Sequence, residues 1–315
     1  MSPRERRMVP AAEPRTYYGR PVLKEPVWTW EVPVYFFTGG LAGASAGLGL
    51  GASLAGNRPL ARSAWAASLA GIAVSPALLV SDLGRPERFL NMLRVFKAGS
   101  PMSVGSWILA ASGAAISVAS AHELLGLGPP GLGRGAGAAA ATLGLPLSTY
   151  TAALLTTTSI PAWHEARREL PLVFGGSALA SAGAAAAITT PVRHAGPARR
   201  AVAAGALLEA AGALALRRRL GPLNGHYEGP VGTAAKLLTA AGAGTLLAAG
   251  RSRRPLAVAG SAMVLAGSLL ERLSVYRAGF SSARPGADRQ SGRVNQTRVP
   301  PSDSAPHSLA SEPTR

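Results

Sequence analysis

The sequence predicts an all-α integral membrane bundle of eight transmembrane helices, followed by a disordered basic C-terminal tail. Three observations carry that expectation. The chain contains eight apolar runs, each near the roughly twenty residues that cross a bilayer at about 1.5 Å per residue. Of its 315 residues, 48% are hydrophobic and only 15% charged, yet the net charge is +17. The lysines and arginines gather in short connectors between the apolar runs, as in membrane loops that face the cytoplasm, and not in the continuous basic stripe of a nucleic-acid surface. Finally, Gly39, Gly43, Gly47 and Gly51 recur at every fourth residue inside the first run. So much glycine melts a helix in water, but in lipid the backbone has no other hydrogen-bonding partner and the helix persists.

The first span is Val32–Leu54. Its glycine stripe lets another helix backbone, or a flat ligand, approach closely. A short polar loop leads to the second span, Ser63–Val80, and then to the longest polar connector, Ser81–Met102. The third span is Ser103–Leu125, closed by the turn sequence GLGPPGLGRG. The fourth is Gly135–Ser159, with Pro146 predicting a kink. After the loop IPAWHEARRE come spans five to eight, at Leu170–Thr190, Ala198–Leu216, Pro230–Ala249 and Pro255–Val275. From Arg277 the composition turns rich in Ser, Pro and Arg, which predicts disorder. The organisation expected is therefore a cytoplasmic N-terminal segment over 1–31, a transmembrane domain over 32–275 and a tail over 276–315. The opening residues lack an apolar core of their own, so the first span serves as the insertion signal.

Eight spans place both termini on one side. The loops and termini of that side hold roughly twice the basic residues of the other, which predicts cytoplasmic termini. Arg251, Arg253 and Arg254 argue the other way.

Ionisable groups inside a span are costly and mark function by default. Glu209 lies in the sixth span and Lys236 in the seventh; Asp82 and Glu271 end the second and eighth; Tyr35 and Tyr150 lie in the first and fourth. With alternating helix directions, all six fall in the membrane half nearer the termini, whereas His122 and Glu123 fall at the opposite surface. One polar pocket on the terminus side is expected. The bland alternatives are interfacial charges at Asp82 and Glu271, a lysine that snorkels at Lys236, and an aromatic belt of Tyr35 with Trp28 and Trp30. Glu209 resists such a reading, because an unpaired carboxylate in lipid costs several kcal/mol or takes up a proton.

Metal and cofactor chemistry is restricted by what the chain lacks. Without cysteine it holds no cysteine-ligated iron–sulfur cluster and no disulfide. The five histidines are His122, His164, His194, His226 and His307. No two lie in spans at matching depth, so bis-histidine haem ligation is not expected. HEARRE at His164 lacks the second histidine of a zinc-hydrolase helix, and the glycines around Gly126–Gly133 follow no strand, so neither a metal nor a dinucleotide site is expected.

Several stretches together resemble a known family. DLGRPERFLNML (Asp82–Leu93) followed by SPMSVGSWIL (Ser100–Leu109), the aromatic-then-glycine start YFFTGGLAG (Tyr35–Gly43), STYTAALL (Ser148–Leu155) with Pro161-Ala162-Trp163, and VYRAGFSSA (Val275–Ala283) are similar, in order, to the NrfD/PsrC family. These are the membrane subunits of polysulfide reductase and related molybdopterin oxidoreductases. The resemblance implies an eight-helix subunit of the cell (inner or plasma) membrane that exchanges electrons with menaquinone or ubiquinone and binds no haem. It implies a ferredoxin-like iron–sulfur partner on the pocket side and a molybdopterin catalytic subunit beyond it, as in anaerobic respiration with polysulfide, nitrite or, through formate dehydrogenase, formate. The family commonly has Tyr-Thr-Gly where this chain has Tyr150-Thr151-Ala152, an added methyl that would narrow a quinone site.

On this reading Tyr35, Gly39, Gly40, Gly43 and Tyr150 form the quinone slot. Asp82, Glu209, Lys236 and Glu271 relay protons, and Arg85, Arg88, Trp163 and His164 belong to the docking face. No residue of the chain is itself a redox centre. Two alternatives stay open: a secondary transporter, for which two related halves would be expected and are not found, and a purely structural membrane anchor.

Overall fold

The computed structural model describes residues 23, 25–83, 85–250 and 252–284. Among these there is no strand. The helices are α1 (Glu31–Leu54), α2 (Arg58–Asp82), α3 (Pro101–Leu125), α4 (Pro130–Thr156), the short α5 (Pro161–Glu165), α6 (Leu170–Thr189), α7 (Gly196–Leu220), α8 (Pro230–Ala248) and α9 (Arg254–Ala283). Two 3₁₀ segments, Pro86–Leu93 and Gly221–His226, sit in the connectors.

The helix starts follow from local chemistry. Every helix from α2 to α9 carries proline in its first turn, where the missing N–H is no loss and the fixed φ suits the helix. Asn57 caps α2 by accepting from the Leu60 N–H at 3.4 Å, which starts that helix ahead of the apolar run that marked it in the sequence. Ser100 caps α3 in the same way through the Ser103 N–H, at 3.4 Å. Helix α3 stops at Gly126, whose φ of 70° is the left-handed conformation that glycine adopts freely.

Helices α2, α3, α4, α6, α8 and α9 are long and apolar enough to cross a membrane. The first and sixth expected spans, α1 and α7, have 24 and 25 residues but not the hydropathy. Glycine dilutes α1, and α7 carries Glu209 together with arginines at both ends. Both are nevertheless integral to the bundle: α1 packs on α2, α4 and α6, and α7 on α6.

Close helix crossings rest on glycine. A Cβ on Gly43 would strike the backbone of Gly144, and one on Gly144 would strike Gly43, so α1 and α4 meet backbone to backbone. Gly242 of α8 and Gly260 of α9 form a second such pair, each 2.7 Å from the other's carbonyl oxygen if given a Cβ. Without a hydrophobic drive between helices in lipid, contacts of this kind supply much of the association.

The start of α1 and the end of α9 meet on one side. Tyr276 donates to the Trp28 carbonyl at 2.5 Å, and Arg284 pairs with Glu25 at 3.2 Å. The tail boundary expected at 276 thus moves outward. Helix α9 runs to Ala283, with Phe280 packed edge-on against Trp163 and tilted against Tyr276, so the packed face continues past the fall in hydropathy. Residues 1–22 and 285–315, where most of the N-terminal segment and the disordered tail are expected, lie outside the described residues.

Candidate functional site

Tyr35 sits just inside α1 and Tyr150 just before the end of α4, so antiparallel packing brings them to the same depth. Their hydroxyls lie 2.7 Å apart. Both point into a cavity of about 110 Å³ lined also by Trp28, Asp82, Met92 and Ser106. Tyr35 is 2% exposed. The mutual hydrogen bond uses one of the two hydroxyl protons, and among the described residues the other has no acceptor. The pair therefore presents one free donor to whatever fills the cavity. Room for it is made by Gly105 of α3, where a Cβ would collide with the Tyr150 ring. Asp82, buried at the end of α2, accepts from the Thr29 hydroxyl at 2.5 Å and the Thr29 N–H at 3.3 Å.

The other charged residues of the helices lie elsewhere. Glu209 and Glu271, with Lys236 and Thr239, line a crevice of about 360 Å³ between α7 and α8, two helices that touch little along their length. Glu209 is 5% exposed, and its Oε2 has no partner among the described residues. Glu271 is not at a helix end but well inside α9. It and Lys236 also line a smaller cavity of about 20 Å³, bounded by Asn224 and Tyr227 of the α7–α8 connector, enough for about one water. The single pocket expected from helix directions is thus two crevices. Between them lies a layer of large side chains. Tyr35 packs on Phe36, Phe36 on Phe174, and the Arg272 guanidinium lies 3.7 Å over the Phe174 ring. Arg272 is 1% exposed, donates to the Phe174 carbonyl at 2.7 Å and stands within electrostatic reach of both Glu209 and Glu271.

Two groups of expected site residues change role. Gly39, Gly40 and Gly43 line neither crevice: Gly43 is filled by α4, Gly40 faces Ala178 and Arg272, and Gly39 backs the Tyr35 ring. At Gly43 the backbone of Gly144 fills the space beside the helix, while among the described residues Gly47 and Gly51 have nothing near them. Trp163 is fully buried, stacks on Trp28 with ring centroids 5.5 Å apart and donates from Nε1 to the Val275 carbonyl at 2.7 Å. It braces the bundle and offers no surface to a partner. Arg85, Arg88 and His164 are exposed on the terminus side, as a docking role requires.

The family model described as polysulphide reductase, NrfD, matches residues 21–218, more than half of the chain. The chain belongs to the NrfD family. It is thus a multi-pass membrane protein of a family of oxidoreductase-complex subunits. No curated protein matches it. The matched region of this NrfD protein contains the tyrosine pair, Asp82 and Glu209, while Lys236, Glu271 and Arg272 lie beyond it. Ala152 is fully buried and is not among the residues that line the tyrosine cavity.

Arg272 and Ser106 escaped the sequence reading. Arg272 was legible as the neighbour of Glu271 in an otherwise apolar run; placing a helix end there hid it. Ser106, in the SPMSVGSW stretch, carried no charge to draw notice.

On the terminus-side surface, Glu169 accepts two hydrogen bonds from Arg219, at 2.6 and 2.7 Å, tying the start of α6 to the end of α7. The hydrogen-bonded guanidinium holds the Glu169 carboxyl below its ordinary value. A depressed folded-state pKa gives stability that is full above the unfolded value and is lost as pH falls through the folded one. Glu169→Gln is expected to cost about 2 kcal/mol at neutral pH and to remove this part of the acid sensitivity below about pH 4. Thermal unfolding of both forms between neutral and acid pH is the check, and parallel curves would refute it.

Proposed function

We propose that this NrfD protein is the quinone-reactive membrane subunit of a molybdopterin and iron–sulfur oxidoreductase, with menaquinone or ubiquinone bound at the Tyr35–Tyr150 pair. The observation that carries this reading is the hydroxyl pair of buried Tyr35 and half-buried Tyr150, with one uncommitted hydroxyl proton, set in a membrane-embedded cavity beside a carboxylate. A quinone has two carbonyl oxygens and needs a donor at the interface where protons are exchanged. The chemistry is the two-electron, two-proton interconversion of quinone and quinol. The hydroxyl pair donates to a ring oxygen, and Asp82 exchanges its proton. The electrons pass to or from a ferredoxin-like iron–sulfur subunit docked over Arg85, Arg88 and His164, and beyond it a molybdopterin subunit. The basic connectors of that face favour cytoplasmic termini in an inner or plasma membrane.

Glu209, Glu271 and Lys236 form a second proton-handling group, reached from the terminus side past Tyr227 and Asn224. Glu209→Gln is expected to slow quinone-linked turnover several-fold at unchanged assembly, and wild-type turnover would remove it from the mechanism. The function itself is tested by adding quinol to the purified complex and following reduction of the partner's iron–sulfur signal, and by the reverse assay with quinone as acceptor. A complex that turns over with soluble dyes and exchanges no electrons with either quinone would be a structural anchor. Family membership in oxidoreductase subunits counts against a secondary transporter, which would accumulate solute in vesicles without any redox partner.

A further inference from the structure

Beside the tyrosine cavity, on the outer face of the bundle, α2 and α3 enclose a groove of about 280 Å³. Its walls are apolar: Leu69, Ile72 and Ala73 from α2 and Leu109, Ala110 and Ala114 from α3. Ala73 and Ala114 are exposed, so the groove opens where acyl chains surround the protein. Phe89 and Leu93 of the 3₁₀ segment roof its terminus-side end. Along α3 the lining runs from Ser106 to Ser117, about 16 Å of helix axis at 1.5 Å per residue. It therefore leads from the level of the tyrosines towards the bilayer centre.

The two cavities share a wall. Ser106 lines both. Its hydroxyl lies 3.8 Å from the sulfur of Met92, another residue of the tyrosine cavity. The preceding residue, Gly105, is the one against which the Tyr150 ring rests. A serine, a glycine and an unbranched, adaptable methionine stand where the polar cavity meets the apolar groove. A ligand with a polar ring joined to a long hydrocarbon chain matches that sequence of surfaces. The ring belongs among the hydroxyls and the chain along the groove, whose α2 wall also holds Pro76.

We infer that the α2–α3 groove binds the polyisoprenyl tail of the quinone and that the Ser106–Met92 contact is the opening through which the ring enters from the lipid. This inference rests on the quinone reading above. Groove and ring site act on different parts of one molecule, so they separate experimentally. Turnover of the complex is measured with one quinone ring carrying either a polyisoprenyl tail or only a methyl group. Ala110→Trp fills the groove, Ala114→Phe narrows its rim with less demand on packing, and Ala111→Trp, on the exposed face of α3 outside every cavity described, is the control. Both groove variants are expected to raise KM for the tailed quinone about tenfold or more and to leave KM for the methyl analogue within about twofold, while the control changes neither. Equal effects on the two quinones, or none on either, would show that an ordinary lipid chain occupies the groove and would overturn the inference while sparing the ring site. A wild-type complex that uses neither quinone would overturn the quinone reading and the groove with it.

Discussion

Complexes carrying Tyr150→Phe are expected to assemble normally and to lose about tenfold to a hundredfold of quinone-linked turnover, the range set by a hydrogen bond to a group that gains charge during reaction. The substitution removes the 2.7 Å partner of Tyr35 and one of the two protons of the pair. Tyr35→Phe is expected to do the same, because either hydroxyl can be the donor. If the two act as a unit, the double variant is little worse than the worse single one, a non-additivity that a double-mutant cycle measures. Dye-linked activity of the partner subunits serves as the control, since it bypasses the membrane site. A Tyr150→Phe complex with wild-type kcat and KM for quinone would remove the pair from the reaction. Equal losses in both assays would reduce it to a packing role.

The largest loss of stability is expected from Arg272→Met. The guanidinium is buried, bonds the Phe174 carbonyl and covers its ring. It is also the cation nearest in sequence to Glu271, and it acts on Glu209 as well. Its removal leaves two buried carboxyls with only Lys236, which reaches the lipid-facing side of the crevice. Breaking a buried charge cluster from one side costs about 3–5 kcal/mol. Replacing all members together costs far less, so Arg272→Met combined with Glu209→Gln and Glu271→Gln should regain much of the loss. Thermal unfolding of the detergent-solubilised protein reads both results. A single variant as stable as the wild type would show that the guanidinium does not compensate the carboxyls.

Much of this arrangement was legible before any coordinates. The helices appeared because apolar length and polar punctuation are written locally, and proline marks their first turns. Tyr35 and Tyr150 could be placed at one depth from helix direction alone. Azimuth was not legible: a depth count puts Asp82 and Glu209 in the same membrane half but is silent on which way each faces around its helix, and the side chains divide between two crevices. The glycine stripe on α1 was ambiguous for a related reason. Gly43 fits a ligand or a backbone equally well until the opposing residue, Gly144, is known. Helix α9 was cut short because hydropathy falls at Arg277, whereas helices end where capping or a breaker ends them, and Tyr276 and Phe280 continue on the inner face.

The layer formed by Phe36, Phe174 and the Arg272 guanidinium has a consequence for how the two crevices would communicate. No chain of hydroxyls or carboxyls among the described contacts crosses it, so the coupling carried by this layer is electrostatic. An electric field crosses such a layer of buried side chains with less screening than it meets in water. A change of charge among the tyrosines would therefore be felt at the distant glutamates without any side chain having to move. The layer is the dielectric of a capacitor, passing voltage from one crevice to the other.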